Sequence, residues 1–258
     1  MIDPAPSPPM PRSAVRNAGR RAQICIISAI LIAMIVGTSF LQHLRREQLR
    51  IRLLQTDTGA IVKDRQLIRF ASAEATPLYA QHCARCHGKD MTGNPTLGAP
   101  NLKDRVWLFG DGSVFDIERT LLYGIRSGQS KAHNVTDMPA FGLAGRLSEA
   151  QIRNLVQYLL QLSGRPHQAP AAIEGRAVYD DVAKANCSDC HGETGQGNSN
   201  YGAPDLTVDV WNSGNDARSL YDAIYYGQHR IMPSWIGVLS LEQIRALAVY
   251  VYMASHHE

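Results

Sequence analysis

The chain has 258 residues, with 26 Lys and Arg against 23 Asp and Glu and a formal charge of +3. That length suffices for a membrane segment and two small domains, and a positive balance so weak and dispersed excludes the basic footprint of a nucleic-acid-binding protein. Four of the five cysteines fall in two copies of one short motif. Only Cys25 is left over, so a disulfide framework is excluded as well.

Residues 1–23 are proline-rich and basic, with Arg12, Arg16, Arg20 and Arg21, and read as a disordered tail. Residues 24–41 (ICIISAILIAMIVGTSFL) carry no charge. At 1.5 Å per residue they span roughly 27 Å, close to a bilayer core. Val36-Gly37-Thr38-Ser39 is a poor signal-peptidase site, so the run is expected to be an uncleaved transmembrane anchor in a lipid bilayer rather than a removed signal peptide. Cys25 within it reads as a small lipid-facing or core side chain. Arg45, Arg46, Arg50 and Arg52 on the far side balance the four arginines on the near side, so charge does not orient the anchor. Residues 42–73 form a basic, partly helical stalk.

Beyond the stalk the sequence repeats itself, and the repeat outranks any local reading. CARCHGKDMTGNPTLGAPNLKDRVW answers to CSDCHGETGQGNSNYGAPDLTVDVW without a gap. Tyr123-Gly124 then matches Tyr226-Gly227, and Met138-Pro139 matches Met232-Pro233. These matches set a first domain at 74–163, a linker at 164–170 (with RPHQAP) and a second domain at 171–258. Thr76 followed by Pro77 predicts the start of the first opening helix. Each copy ends in an amphipathic helix with a capping box, Ser148 with Gln151 and Ser240 with Gln243. Ile152, Leu155, Val156, Leu159 and Leu160 form one apolar stripe, and Ile244, Leu247, Ala248, Val251 and Tyr252 its equivalent. The order in each copy is helix, cysteine motif, long loop, short helix, methionine loop, closing helix, an all-α reading.

Cys83-Ala84-Arg85-Cys86-His87 and Cys187-Ser188-Asp189-Cys190-His191 are both C-x-x-C-H, the signature of covalent c-type haem attachment. Two thiols add across the two vinyl groups of one haem, and the following histidine ligates the iron from below. Two copies in matching surroundings predict two covalently bound haem c groups. Each iron then needs a sixth ligand. A thioether is soft and neutral, and His/Met ligation raises the potential, while the proline after each methionine keeps its loop out of helix. Met138 is assigned to the first site and Met232 to the second. His133 and His229, near those methionines, are the alternatives. Met91 is too close to His87 to reach the opposite haem face. His82 reads as a helix-face residue, and His43, His167, His256 and His257 have no ligand partner in view. Tyr79, Trp107, Tyr123, Trp211 and Tyr226 are expected to pack around the porphyrins. Arg105, Arg126 and Arg230 are candidates for pairing with propionates, and Gly98 and Gly202 for turning the backbone close to the haem.

With these residues in place, the chain resembles tandem class I cytochrome c domains, and as a whole the diheme subunit III of cbb3-type cytochrome c oxidases. The resemblance rests on CARCHG and CSDCHG, on GAPNLKDRVW and GAPDLTVDVW, and on MPAFG and MPSW. It implies an all-α fold, an N-terminal transmembrane helix followed by two tandem class I cytochrome c domains. It also implies attachment outside the bacterial cytoplasm, and so an inner-membrane protein with one span, a cytoplasmic tail and both haem domains in the periplasm. The function it implies is transfer of single electrons from periplasmic donors, such as a soluble cytochrome c, to membrane-embedded oxidase subunits. A cytochrome subunit serving membrane dehydrogenase subunits is the first alternative, and a diheme peroxidase the second. A peroxidase needs an open sixth position, which two Met-Pro loops oppose. Residues 171–258 hold eleven acidic side chains against five basic ones, an acidic face suited to a basic donor or simply to solubility.

Overall fold

The computed structural model describes residues 12–133, 136–208, 214 and 216–256, with side chains from residue 27 onward. Most of the tail, Trp211 and His257 therefore lie outside the described residues, as does the side chain of Cys25. The chain divides into two units, Met1–Ile51 and Arg52–Glu258. The first unit is most of one long helix, α1 (Arg12–Gln55). Its side chains from Ile27 to Leu41 are exposed, with Ile30, Ile32, Ile35 and Phe40 all more than half accessible. An apolar surface of that length has no stable place in water, and the helix is long and apolar enough to cross a membrane.

The regular elements of the second unit are helices joined by long loops, with isolated bridges and no strands among the described residues. Its elements are α2 (Thr58–Ile61), α3 (Arg65–His82), α4 (Ala84–His87), α5 (Val114–Tyr123), α6 (Glu149–Leu162), α7 (Ala169–Asp180), α8 (Cys187–His191), α9 (Ala217–Tyr226) and α10 (Leu241–His256). The stalk is thus not a separate spacer, because α3 begins inside it. The Asp64 carboxylate accepts from the amides of Gln66 and Leu67 at 2.9 and 3.2 Å and caps that helix. Leu67, Ala71, Ala75 and Tyr79 then form its buried stripe. The start predicted at Thr76 is corrected accordingly. Pro77 sits in the helix interior, and the Thr76 hydroxyl turns back to the Ser72 carbonyl at 2.7 Å. An apolar stripe reaching back three turns outweighs a proline signal. Similarly, Ala169 and Pro170 of the expected linker already belong to the first turn of α7. Both closing helices carry their capping boxes, Ser148–Gln151 and Ser240–Gln243.

The two repeats do not pack each on itself. Helix α10, from the second repeat, packs against α3 and α5 of the first. Tyr250 meets Tyr79 edge-on at 5.8 Å, and Arg245 pairs with Glu118 at 2.6 Å. Helix α6, from the first repeat, packs against α7 and α9 of the second. Its Tyr158 meets Tyr179 at 5.3 Å, and its stripe joins one core with Leu206, Leu220 and Ile224. Two lobes result. Residues 52–125 and 232–256 make the first; residues 138–228 make the second as one continuous stretch. The chain crosses between them twice, and the crossings pair. Ile125 and Met232 exchange backbone hydrogen bonds of 3.0 Å each way, and Met138 and Gln228 do the same at 3.1 and 2.9 Å. Gly124 and Gly227, at matching repeat positions, have φ of 75° and 73°. A Cβ on either would strike the carbonyl of the opposite repeat's methionine.

Candidate functional site

Each cysteine motif forms one helical turn that ends on a left-handed glycine, Gly88 at φ 80° or Gly192 at 83°. The chain then loops out, and a bridge between Asn94 and Ala99, or Asn198 and Ala203, closes the loop. This returns the carbonyl of Pro100 to Nδ1 of His87, and that of Pro204 to Nδ1 of His191, at 3.1 Å in both cases. Nδ1 therefore donates, and the lone pair of Nε2 points away as a ligand. Burial pushes the pKa of both histidines down, so each imidazole is neutral, as metal ligation requires. The left-handed turns at Gly98 and Gly202, φ 61° and 66°, lie in these loops where sequence reasoning put them.

The thiols are unpaired cysteines. Burial pushes Cys83 up to about 11 and Cys187 up to about 12, and raises Cys190 as well. No group of three or more His, Cys, Asp or Glu suited to a metal ion occurs among the described residues. The donor set fits a haem: two thiols one helical turn apart and, next to them, one imidazole whose Nδ1 is held by a backbone carbonyl.

Sequence reasoning missed two tethers. Tyr79 donates its hydroxyl to the Gly88 carbonyl at 2.8 Å, and Tyr179 to that of Gly192 at 2.7 Å. Each ties the opening helix to the turn behind a haem motif. Tyr179 escaped notice because it stands eight residues before Cys187, whereas Tyr79 stands four before Cys83. The alignment of the repeats begins only at the cysteines.

The methionine loops depart from the order of the repeats. Met138 packs against the core of the second lobe together with Cys187. Met232 is paired through its backbone with Ile125 of the first lobe, and the residues that follow it stay there. Trp235 donates its amide to Leu121 at 3.0 Å and meets His82 at 5.2 Å, and the Ser234 hydroxyl bonds to Leu122 at 2.6 Å. Each methionine loop thus lies in the lobe that holds the opposite repeat's cysteine motif, against the expected pairing of Met138 with the first site and Met232 with the second. The crossing exchanges the methionine loops together with the closing helices.

Other expected residues divide. His133 stacks on Phe109 at 4.2 Å and reaches Thr120 at 3.5 Å, and His229 bonds to Asp137 at 2.7 Å. Both lie beside the methionine positions, His229 on the residue before Met138 and His133 bridged to the Ile125 that pairs with Met232, but their rings are taken up by Asp137 and Phe109. Met91 is buried in a left-handed turn. His82 ends α3, His167 bonds to the Arg165 carbonyl, and His256 stacks on Tyr252. The indole of Trp107 lies against Gly112, and Tyr123 is half-buried beneath Lys131. Tyr226 is 58% exposed, edge-on to Tyr225. The buried face of α9 runs through Leu220 and Ile224, and Tyr226 falls off it. Arg126 is committed to the crossing: it pairs with Asp137 at 2.8 Å and donates to the carbonyls of Arg230 at 3.1 Å and Thr136 at 2.7 Å. Arg105 is exposed, whereas Arg230 is half-buried against Gly98.

Comparison with known proteins supports the reading of a c-type cytochrome. The family described as cytochrome c oxidase, cbb3-type, subunit III matches residues 71–159 and 170–251. A cbb3-type cytochrome c oxidase subunit CcoP from Cereibacter sphaeroides is 37% identical over 204 residues, 79% of this chain and 68% of that one. The FixP subunit from Azorhizobium caulinodans is 38% identical over 85% of this chain and 72% of its own length. The FixP subunit from Bradyrhizobium sp. strain ORS 278 is 40% identical over 74% and 64%.

Proposed function

This chain belongs to the cbb3-type cytochrome c oxidase subunit III family; it is a membrane-anchored diheme cytochrome c that passes electrons to the oxidase, and on that premise we propose how its residues do so. His87 and Met232 ligate the iron of the haem held by Cys83 and Cys86. His191 and Met138 ligate that of the haem held by Cys187 and Cys190. Carrying this reading is the way each methionine loop is delivered to the other repeat's motif, through the bridges at Ile125 and Gln228. The haems supply the one-electron redox change. The chain fixes the imidazoles through the Pro100 and Pro204 carbonyls. It also ties the two ligand loops to one another, so that neither sixth ligand moves independently. The first lobe follows directly from the end of α1 and hands electrons to a membrane-embedded oxidase subunit. The second, more acidic lobe receives them from a small basic cytochrome c.

Covalent attachment at C-x-x-C-H takes place outside the cytoplasm, which puts both lobes in the periplasm and the N-terminal tail inside. Reporter fusions at the two ends of α1 test this, and a cytoplasmic signal from a fusion after Gln55 would refute it. Purification of the chain from membranes tests the partner. A copper- and b-haem-containing subunit is expected to copurify; a flavin or quinone dehydrogenase in its place would return the first alternative.

A further inference from the structure

The arm that returns from the second repeat brings more than a methionine. Arg230 stands two residues before Met232, and its guanidinium lies directly over Gly98, so that any Cβ on that glycine would fall inside it. Gly98 is two residues from Pro100, whose carbonyl holds His87. The side chain is half-buried, and among the described residues no carboxylate pairs with it. A guanidinium withdrawn from water without an anion is costly, and a planar fork is the shape that grips a carboxylate through two hydrogen bonds. The arm itself is fixed, since Arg126 holds the Arg230 carbonyl at 3.1 Å while pairing with Asp137 at 2.8 Å. The equivalent position at the second site, two residues before Met138, is Thr136, which brings no charge.

The surroundings of the two sites differ in the same sense. Arg85 and Lys89 of the first motif answer to Asp189 and Glu193 of the second, and Lys103 answers to Thr207. Oxidising a haem iron adds a positive charge, so nearby cations favour the ferrous state and nearby anions the ferric.

Resting on the ligation and haem attachment of the preceding section, we propose that Arg230 pairs with a propionate of the first haem and makes that haem the more easily reduced of the two. Electrons then run downhill from the second lobe to the first. Arg230 is a positioning and potential-setting residue contributed by the opposite repeat. Without it the first haem loses its strongest bias over the second.

The test is spectroelectrochemical titration of the full chain in detergent with both haems attached. Met232→His identifies which midpoint belongs to the haem that Met232 ligates. A unit charge about 10 Å from the iron, at an effective dielectric constant of about 20, shifts the ferric-to-ferrous ratio by about tenfold or somewhat more. Arg230→Gln is therefore expected to lower that one midpoint by about 59 mV, a tenfold change for one electron, and to leave the other in place. Arg230→Lys keeps the charge and should restore most of the loss, which a purely structural role would not do. The near-infrared sulfur-to-iron band must persist in both variants. A midpoint that does not move while the band persists overturns the proposal. So does a fall that accompanies loss of the band, because the arginine would then be holding only Met232. If Met232→His shifts instead the midpoint that disappears in a Cys187→Ala/Cys190→Ala chain, the ligand exchange itself is wrong, and the failure lies in the reading on which the proposal rests.

Discussion

The two haem sites have the same construction and opposite electrical surroundings. Both have a histidine held at 3.1 Å by a proline carbonyl, a tyrosine tethered to the glycine after the motif, and a bridge that closes the loop between. Yet the lobe made of residues 138–228 has ten acidic side chains against six basic ones, while the rest of the unit beyond residue 51 has thirteen basic against eleven acidic. Cofactor attachment tolerates little variation, because two thiols and an imidazole have to meet one haem. Surface charge is under no such geometric demand, so the two copies diverge in the property that sets potential and partner choice. Interlacing accentuates the contrast. Arg230 and Arg245 lie in the second repeat by sequence, but their side chains meet Gly98 and Glu118 of the first lobe.

The largest effect is expected from cutting the chain where the crossing ends. Termination after Gln228 removes Met232 and α10 and leaves every element of the second lobe present. The haem at Cys83 and Cys86 should lose its low-spin, six-coordinate spectrum, while the haem at Cys187 and Cys190 keeps its near-infrared band. Two domains folded in series would give the opposite result, with the first site intact. Haemochrome quantitation and near-infrared spectra of the truncated chain distinguish the two.

Replacing single ligands gives a smaller and cleaner break. Met138→His should lower only the midpoint that disappears in a Cys187→Ala/Cys190→Ala chain. Met232→His should lower only the one that disappears in Cys83→Ala/Cys86→Ala. Loss of the thioether disfavours the ferrous state, and a change of at least about tenfold, about 59 mV, is expected. Movement of the midpoints in the uncrossed sense would break the exchange.

Most of the attachment chemistry was legible in the sequence, because C-x-x-C-H and Met-Pro are local patterns with a chemical cause. The capping boxes and both apolar stripes were legible for the same reason, since a stripe records that a helix is buried. It does not record against what. Ile244, Leu247 and Ala248 would look no different against α7 than they do against α3. Two homologous repeats offer each closing helix two nearly equivalent partners, so the choice between them rests on connection length and on a few specific contacts. The crossing was therefore hidden, and with it the exchange of the methionine loops between the lobes. The glycines at 124 and 227 were visible only as matched positions. Their positive φ and the carbonyls they face emerge only when the two copies are in contact.

One of those specific contacts sets up a comparison of two equivalent arginines. Arg245 in α10 pairs at 2.6 Å with Glu118, the two side chains 16% and 10% exposed, and also donates to the carbonyls of Leu53 and Thr56 at 3.3 Å. Arg153, at the same place in α6, pairs with Glu149 one turn back, where the two are 62% and 65% exposed. Removing one member of a largely buried pair strands the other charge and costs about 3–5 kcal/mol, whereas exposed i,i+4 pairs contribute roughly 0.3–0.5 kcal/mol. In urea unfolding, Arg245→Ala should shift the transition strongly and Arg153→Ala by less than about 0.5 kcal/mol. Equal effects would mean that Arg245 does not lock the first lobe.

The charge contrast is probed most finely by electron uptake. Asp180 and Asp181 contribute to the acidity of the second lobe, but each has a cation close by, Arg176 at 3.5 Å and Lys184 at 3.6 Å. Asp189 and Glu193 are exposed and flank the haem motif itself, so they dominate the field a docking donor meets there. Opposite fields speed encounter by roughly 10- to 1000-fold in total, and two of ten acidic groups account for a modest share. Asp189→Asn with Glu193→Gln should therefore slow reduction by a basic cytochrome c by at most about tenfold at low salt, with both haem spectra unchanged. The difference from the unaltered chain should vanish as salt rises from about 0.01 M to about 0.15 M, because the screening length falls from about 30 Å to about 8 Å. Arg85→Gln with Lys89→Gln, at the equivalent positions of the first site, should leave the rate unchanged or raise it slightly, since a basic donor is repelled there. Stopped-flow reduction of the four-site panel compares the lobes under one donor. Should the two pairs slow uptake equally, or the first-site pair alone slow it, electrons do not enter through the acidic lobe.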